Sequence, residues 1–220
     1  MQVYSHRGGR GFGPDNTLEA MEAAASAGVL AIETDVHSTA DGELLISHDP
    51  VVGKYAIKHS EFADIRRDHP DRPLLREVLD ALAGRVSFNI EIKTAPPAEV
   101  AKMVGSFKVM EETVFSSFHA HLVAEMKKEY PVARVGPLRW TLLAEHLTFE
   151  WTEKIGAEFL AHHYKAITPL NVEQMHGAGL NVTAWTVNEE EEVRRLDSIG
   201  VDVLITDRYL EMVELLDGGR

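Results

Sequence analysis

Two rhythms of apolar and polar residues alternate along the chain. Short runs rich in apolar and β-branched residues recur at Gln2–Ser5, Ala31–Val36, Leu44–Ser47, Val86–Ile92, Thr113–Ser116, Val132–Val135, Phe159–Ala161, Val182–Thr186 and Val203–Ile205. Most are apolar on both faces, the pattern of parallel strands covered by helices. Helical spacing is predicted between them, over Thr17–Ala27, Pro73–Ala83, Pro97–Ser106, His119–Glu129, Asn171–Ala178, Glu189–Ile199 and Tyr209–Leu216. Asn16, three residues before Glu19, reads as the N-cap of the first helix. The acidic run Glu189–Glu192 reads as a solvated first helical turn that complements the helix dipole.

Strand-then-helix units repeat without a linker or a change in composition, which predicts one parallel α/β domain over residues 1–220. About eight such units in roughly 200–250 residues match a (β/α)8 TIM barrel, with a doubly wound sheet as the alternative. The least regular stretch, residues 49–72, reads as a short insertion after the second barrel strand region, with room for one helical turn.

Composition narrows the chemistry. The 220 residues include no cysteine, which excludes disulfides, zinc–thiolate sites, iron–sulfur clusters and a cysteine nucleophile. Thirty-five acids against 22 Lys and Arg give a net charge of −13, a poor match to nucleic acid or to an anionic membrane surface. No apolar run approaches the length of a membrane-spanning helix. The opening MQVYSHRGG lacks the basic-then-apolar pattern of a secretion signal. The expectation is a cytoplasmic protein acting on a small molecule, with its oligomeric state left open.

Candidate chemistry collects at strand ends, which in a barrel form the active-site mouth. Ser5-His6-Arg7-Gly8-Gly9 offers an acid/base imidazole and an anion-binding guanidinium beside flexible backbone. Glu33 and Asp35, two residues apart on a strand, point to one side and repel unless a proton or cation lies between them. An all-oxygen set of this kind suits Mg2+ or Ca2+. Ser47-His48-Asp49 brings a second histidine. In Asn89-Ile90-Glu91-Ile92-Lys93 the alternation puts Glu91 and Lys93 on one side, as a third carboxylate and a second cation. Three carboxylates, two cations and two histidines suit phosphodiester cleavage.

These segments and their order resemble the glycerophosphodiester phosphodiesterase family. The resemblance runs from His6-Arg7-Gly8 and Pro14-Asp15-Asn16-Thr17 through Glu33-Thr34-Asp35, Thr39-Ala40-Asp41-Gly42, Ser47-His48-Asp49 and Asn89–Lys93. It ends in Val182–Asn188, Gly200-Val201-Asp202 and Ile205-Thr206-Asp207. It implies a TIM-type barrel, one divalent cation held by Glu33, Asp35 and Glu91, and His6 and His48 as acid and base. It implies phosphate contacts from Arg7 and Lys93 and a substrate pocket lined by Trp185. The implied reaction yields glycerol 3-phosphate and an alcohol. The family usually carries Glu where Asp15 stands, and its segment between His48 and Pro73 is longer, which predicts a more open mouth here.

Phe118 is a further candidate pocket residue. Trp140 and Trp151 read as packing residues. His162 and His163, adjacent on a strand, read as one packed and one exposed, not as a metal doublet. His37, His59, His69, His146 and His176 read as surface or packing residues. Alternatives within the same site are lysophospholipase D-type hydrolysis and a non-catalytic phosphate-binding barrel. A sugar-phosphate isomerase on the same fold would need neither the second histidine nor the third acid.

Overall fold

The computed structural model describes residues 1–141 and 145–218; the side chains of residues 145–149 are not described, so the reading of His146 lies outside the described residues. In chain order the strands are β1 (Gln2–Ser5), β2 (Ala31–Ser38), β3 (Leu44–Ile46), β4 (Val51–Val52), β5 (Tyr55–Ala56), β6 (Ser87–Ile92), β7 (Thr113–Ser117), β8 (Arg134–Arg139), β9 (Phe159–His163), β10 (Asn181–Trp185) and β11 (Val203–Thr206). The helices are α1 (Leu18–Ser26), α2 (Phe62–Asp68), α3 (Leu75–Leu82), α4 (Pro97–Ser106), α5 (Ala120–Glu129), α6 (Glu145–Ile155), α7 (Pro169–Gly177), α8 (Glu190–Ser198) and α9 (Tyr209–Asp217).

Strands β1, β2 and β6–β11 run parallel, each beside the next. The pairing Ser5↔Ile32 joins β1 to β2 and closes the ring. Each barrel strand feeds a helix, so the molecule is a (β/α)8 barrel. The run Leu44–Ile46 is not a barrel strand. It folds back antiparallel on β2, pairing Val36 with Ile46, and extends the sheet on the outside of the ring. The segment after it holds the β4–β5 hairpin and α2, more structure than the single helical turn predicted there.

Period-two alternation sorts side chains between the two sides of the ring. Ile32, Val36, Phe88, Ile90, Ile92, Leu160, Val182 and Leu204 face outward into the main core, together with the inner faces of the helices. In α3 the stripe Leu75, Val78, Leu79, Leu82 recurs at i, i+3, i+4, i+7 and is fully buried, each side chain contributing about 1.5–3 kcal/mol. Tyr4, Ala31 and Ile205 pack in one inward cluster, and Val114, Leu138, Phe159 and Ala161 in another. These clusters fill the barrel interior below its mouth, and a cavity opens at the C-terminal ends of the strands.

Several predicted boundaries shift. Thr17, not Asn16, caps α1 by accepting from Ala20 N–H. Strand β8 runs to Arg139, beyond its predicted end. Helix α6 has no counterpart among the predicted helices, although Leu147, Trp151 and Ile155 recur every four residues. Among the described residues no helix is long and apolar enough to cross a membrane.

Gly136 in β8 faces the filled interior. A Cβ there would lie 2.4 Å from the Phe159 ring and 2.5 Å from the Phe159 carbonyl oxygen. Gly136→Ala is expected to cost at least about 1–3 kcal/mol, because strand backbone must move. Denaturant unfolding of the two proteins side by side checks this; an unchanged midpoint would show that β9 moves freely.

Candidate active site

The mouth is built first by strand register. Parallel pairing of β2 with β6 sets Glu33 opposite Asn89 and Asp35 opposite Glu91. Inward alternation then turns Glu33, Asp35 and Glu91 toward one point. Their carboxylates offer oxygens within 4.8 Å of one another, and all three residues are buried, at 5%, 1% and 7% exposure. Lys93 Nζ lies 2.6 Å from Glu91 Oε1 and 3.1 Å from Asp35 Oδ1. One ammonium group therefore serves three buried acids.

The electrostatics follow from that imbalance. Burial pushes the Glu33 carboxyl well above its ordinary range, and the charges of Asp35 and Glu91 push it further. Burial and Asp35 raise Glu91 to about 7. Burial acts the same way on Asp35, but the Lys93 ammonium and the Asn16 amide outweigh it and hold that carboxyl below its usual value. Lys93 is held above the usual lysine value, since the two carboxylates outweigh its own burial.

Asn16 explains part of this. It adopts a left-handed backbone (φ 57), donates from Nδ2 to Asp35 Oδ2 at 2.9 Å and accepts from the Thr34 hydroxyl at 2.8 Å. Asp35 Oδ1 accepts no well-aligned hydrogen bond, although Lys93 is near. Such an all-oxygen donor set, crowded and short of positive charge, fits one hard divalent cation.

Both histidines are held by carboxylates at Nδ1. Asp207 Oδ1 lies 2.7 Å from His6 Nδ1, and Asp49 Oδ1 lies 2.7 Å from His48 Nδ1. This partner favours the tautomer that leaves Nε2 free to take up or give a proton. The Nε2 of His6 lies 4.0 Å from Glu33 Oε2. Asp207 is fixed in turn, accepting from Asn188 Nδ2 at 2.7 Å, while Asn188 Oδ1 accepts from the Thr206 hydroxyl and the Asp207 N–H. Burial opposes ionisation of Asp207, yet its hydrogen bonds to His6 and Asn188 prevail and keep its carboxyl below the usual range. His37 is buried, its Nε2 3.3 Å from the His48 carbonyl and its Nδ1 3.0 Å from Thr94 Oγ1, so it braces the backbone behind His48.

Arg7 completes the rim. Its backbone is left-handed (φ 48), and its N–H donates to Glu33 Oε2 at 2.9 Å. Its guanidinium is anchored on Asp15 at 3.2 Å, so the shorter acid at this position still reaches it. Its Nε is buried without a partner.

His6, Arg7, Glu33, Asp35, His48, Glu91, Lys93, Phe118 and Trp185 all line one cavity of about 160 Å3. Trp140 lines it as well, contrary to its reading as a packing residue. It is 63% exposed, stacks on Phe118 with ring centroids 5.9 Å apart and meets Trp185 edge-on at 4.6 Å. His163 stacks on Trp140 at 5.5 Å, while the neighbouring His162 is fully buried on the opposite side of β9; burial lowers it to about 4. The doublet is therefore split, as strand alternation requires. Trp151 is half-buried with the Arg139 guanidinium over its ring, a packing role. Asn188 and Asp207 stand in the two late segments that carry the resemblance, but only barrel closure, which brings β11 beside β1, shows that Asp207 orients His6 and that Asn188 fixes Asp207.

The cavity lies at the C-terminal mouth of the barrel, lined by acids and aromatic rings, where TIM-barrel enzymes carry their active sites. The model of the glycerophosphoryl diester phosphodiesterase family matches residues 6–211. A glycerophosphodiester phosphodiesterase of Caldanaerobacter subterraneus subsp. tengcongensis is 30% identical over 99% of this chain and 98% of its own length. The crystal structure of a glycerophosphodiester phosphodiesterase from Thermotoga maritima superposes with a TM-score of 0.80 at 27% identity, covering 99% of this chain and 97% of that one. A phosphodiesterase of Oleispira antarctica, solved with its product sn-glycerol 3-phosphate, shares the fold with a TM-score of 0.88 at 22% identity, over 99% and 97% of the two chains. The chain belongs to the glycerophosphoryl diester phosphodiesterase family, and in class it is a phosphoric diester hydrolase.

Replacing Glu33 by Gln removes one of the repelling charges yet keeps an oxygen for the Arg7 N–H. Glu33 and Glu91 both titrate higher folded than unfolded, so the native state holds extra protons, and their stabilising effect is lost as pH rises above the ordinary glutamate range, through about 7 for Glu91. Metal-free Glu33→Gln is therefore expected to melt above the unmodified protein, by a margin that widens from pH 5 to pH 8. It is also expected to bind a divalent ion at least about tenfold more weakly. Thermal melts across pH and calorimetric titration check both; equal melting and equal affinity would remove Glu33 from the triad.

Proposed function

We propose that the protein hydrolyses glycerophosphodiesters to glycerol 3-phosphate and an alcohol, with Glu33, Asp35 and Glu91 holding one Mg2+ or Ca2+. The convergence of the three carboxylates beside two carboxylate-oriented imidazoles carries this reading. The bound ion would supply charge neutralisation to the diester oxygens.

In the reaction proposed, Arg7 and Lys93 bind the remaining phosphate charge from the two sides of the mouth. The glycerol 2-hydroxyl forms a bond to phosphorus as the bond to the departing alkoxide breaks. One imidazole takes the hydroxyl proton at Nε2, and the other gives a proton to the alkoxide. The cyclic 1,2-phosphate left behind is opened by water, whose proton and the ring oxygen's proton pass through the same two imidazoles in reverse. Both histidines return to their starting states, and the net change is one water added. Asp207 and Asp49 stabilise each imidazole as it becomes charged. Phe118, Trp140 and Trp185 form an apolar wall for the carbon framework of the substrate.

His6→Ala and His48→Ala should each lower turnover by about 10²–10⁴-fold while leaving the melting temperature nearly unchanged. A coupled glycerol 3-phosphate assay checks this, and near-normal turnover in either variant removes that histidine from the chemistry. In the same assay, chelation with EDTA should abolish activity and Mg2+ or Ca2+ should restore it; chelator-resistant hydrolysis would contradict the role given to the triad.

A further inference from the structure

A second cavity, of about 290 Å3, has His48 in its wall but none of the aromatic residues Phe118, Trp140 and Trp185. It shares only Arg7 and His48 with the first, and its remaining walls come from Asp15, Asn16, Ser47, Asp49, Gly53, Arg72 and neighbours in the segment after β3. A phosphodiester has two ester arms, and displacement at phosphorus places the attacking and departing oxygens on opposite sides. Two cavities meeting at the phosphate-facing residues match two arms. The smaller, aromatic-walled cavity suits the constant glycerol arm, and the larger suits the variable one.

The polar groups of this second cavity differ in what they have left to offer. Asp15 is engaged by Arg7 at 3.2 Å and Arg10 at 3.5 Å, and Asp49 by His48 at 2.7 Å. Arg72 donates from Nη1 to the Asp15 carbonyl at 3.1 Å, which fixes the guanidinium in the wall. Its other contact, to the half-exposed Asp71 carboxylate at 3.4 Å, is a surface pair of small worth. Most of its five donors remain for a ligand. His69 stands beside it, edge-on to Tyr55, in a slot that Gly53 keeps open. A Cβ on Gly53 would lie 2.3 Å from His69 Nε2, and the backbone there has φ 56. Arg7, whose Nε is buried and unpartnered, lines both cavities.

We propose that this cavity receives the departing alcohol and that Arg72, with His69, selects alcohols bearing an anionic group, a carboxylate or a phosphate. The inference rests on the phosphodiesterase reading above and adds the class of leaving group. Arg72 is a specificity residue: it touches the alcohol arm and none of the reacting atoms.

The test compares kcat/KM for glycerophosphoserine (a carboxylate), glycerophosphoinositol 4-phosphate (a phosphate) and glycerophosphocholine (a cation without an anion). The unmodified protein should prefer at least one anionic substrate over the choline ester, and the two anionic arms tell carboxylate from phosphate recognition. In Arg72→Met that preference ratio should fall about 10–100-fold, the size expected of one charge-assisted contact, mainly through KM. Arg72→Lys should recover part of it, because charge is restored, whereas a merely structural role would lower all three substrates together. Equal losses on all substrates, or an unchanged ratio in Arg72→Met, overturn the inference while leaving the phosphodiesterase reading intact. Absence of glycerol 3-phosphate release from every substrate by the unmodified protein would overturn that reading instead.

Discussion

Three carboxylates share the barrel mouth with a single ammonium group, and this mismatch of charge governs the rest of the molecule. Buried acids that close to one another are not tolerated as free anions; they take up protons, pair with cations or hold a metal. Glu91 and Glu33 show the first response in their raised pKa values, and Asp35 the second through Lys93 and Asn16. A divalent ion would relieve all three at once. The fold therefore stores an unfavourable arrangement at its mouth that ligand binding converts into affinity.

What keeps the acids together is backbone register, not the acids themselves. Pairing of β2 with β6 places Asp35 opposite Glu91, and the outward residues Ile32, Val36, Phe88, Ile90 and Ile92 lock both strands into the helix-facing core. A slip of one residue would turn every acid outward and every isoleucine into the barrel. The hydrophobic pattern that builds the fold is thus the same pattern that aims the chemistry. Barrel closure then adds what no single strand supplies: β11 lies against β1 and delivers Asp207 to His6, 201 residues away in the chain.

This division explains what could be read from the chain. Strands buried on both faces announce themselves as apolar runs, so the alternating architecture was legible. The alternation within Glu33-Thr34-Asp35 and within Glu91-Ile92-Lys93 gave the facing of the acids and Lys93, and the structure brings these together with His6, Arg7, His48, Phe118 and Trp185. The rest depends on contacts between distant segments. Asp207 and Asn188 near the C-terminus have meaning only beside β1. Asn16, placed by sequence as a helix cap, is instead turned inward by its left-handed backbone toward Asp35 and Thr34. His37 read as a surface or packing residue, and its brace on His48 arises from the antiparallel return of β3. Trp140, read as a packing residue, instead lines the cavity, because β8 runs to Arg139 and carries the next residue to the mouth.

The most direct test of the account is a crystal structure of the protein grown with Ca2+ and glycerol 3-phosphate. The account predicts one ion bound by Glu33, Asp35 and Glu91 at oxygen distances of about 2.3–2.6 Å, with the phosphate held between that ion, Arg7, Lys93 and the two imidazoles. An ion bound elsewhere, or the three acids still satisfied by Lys93 and protons alone under saturating Ca2+, would contradict it.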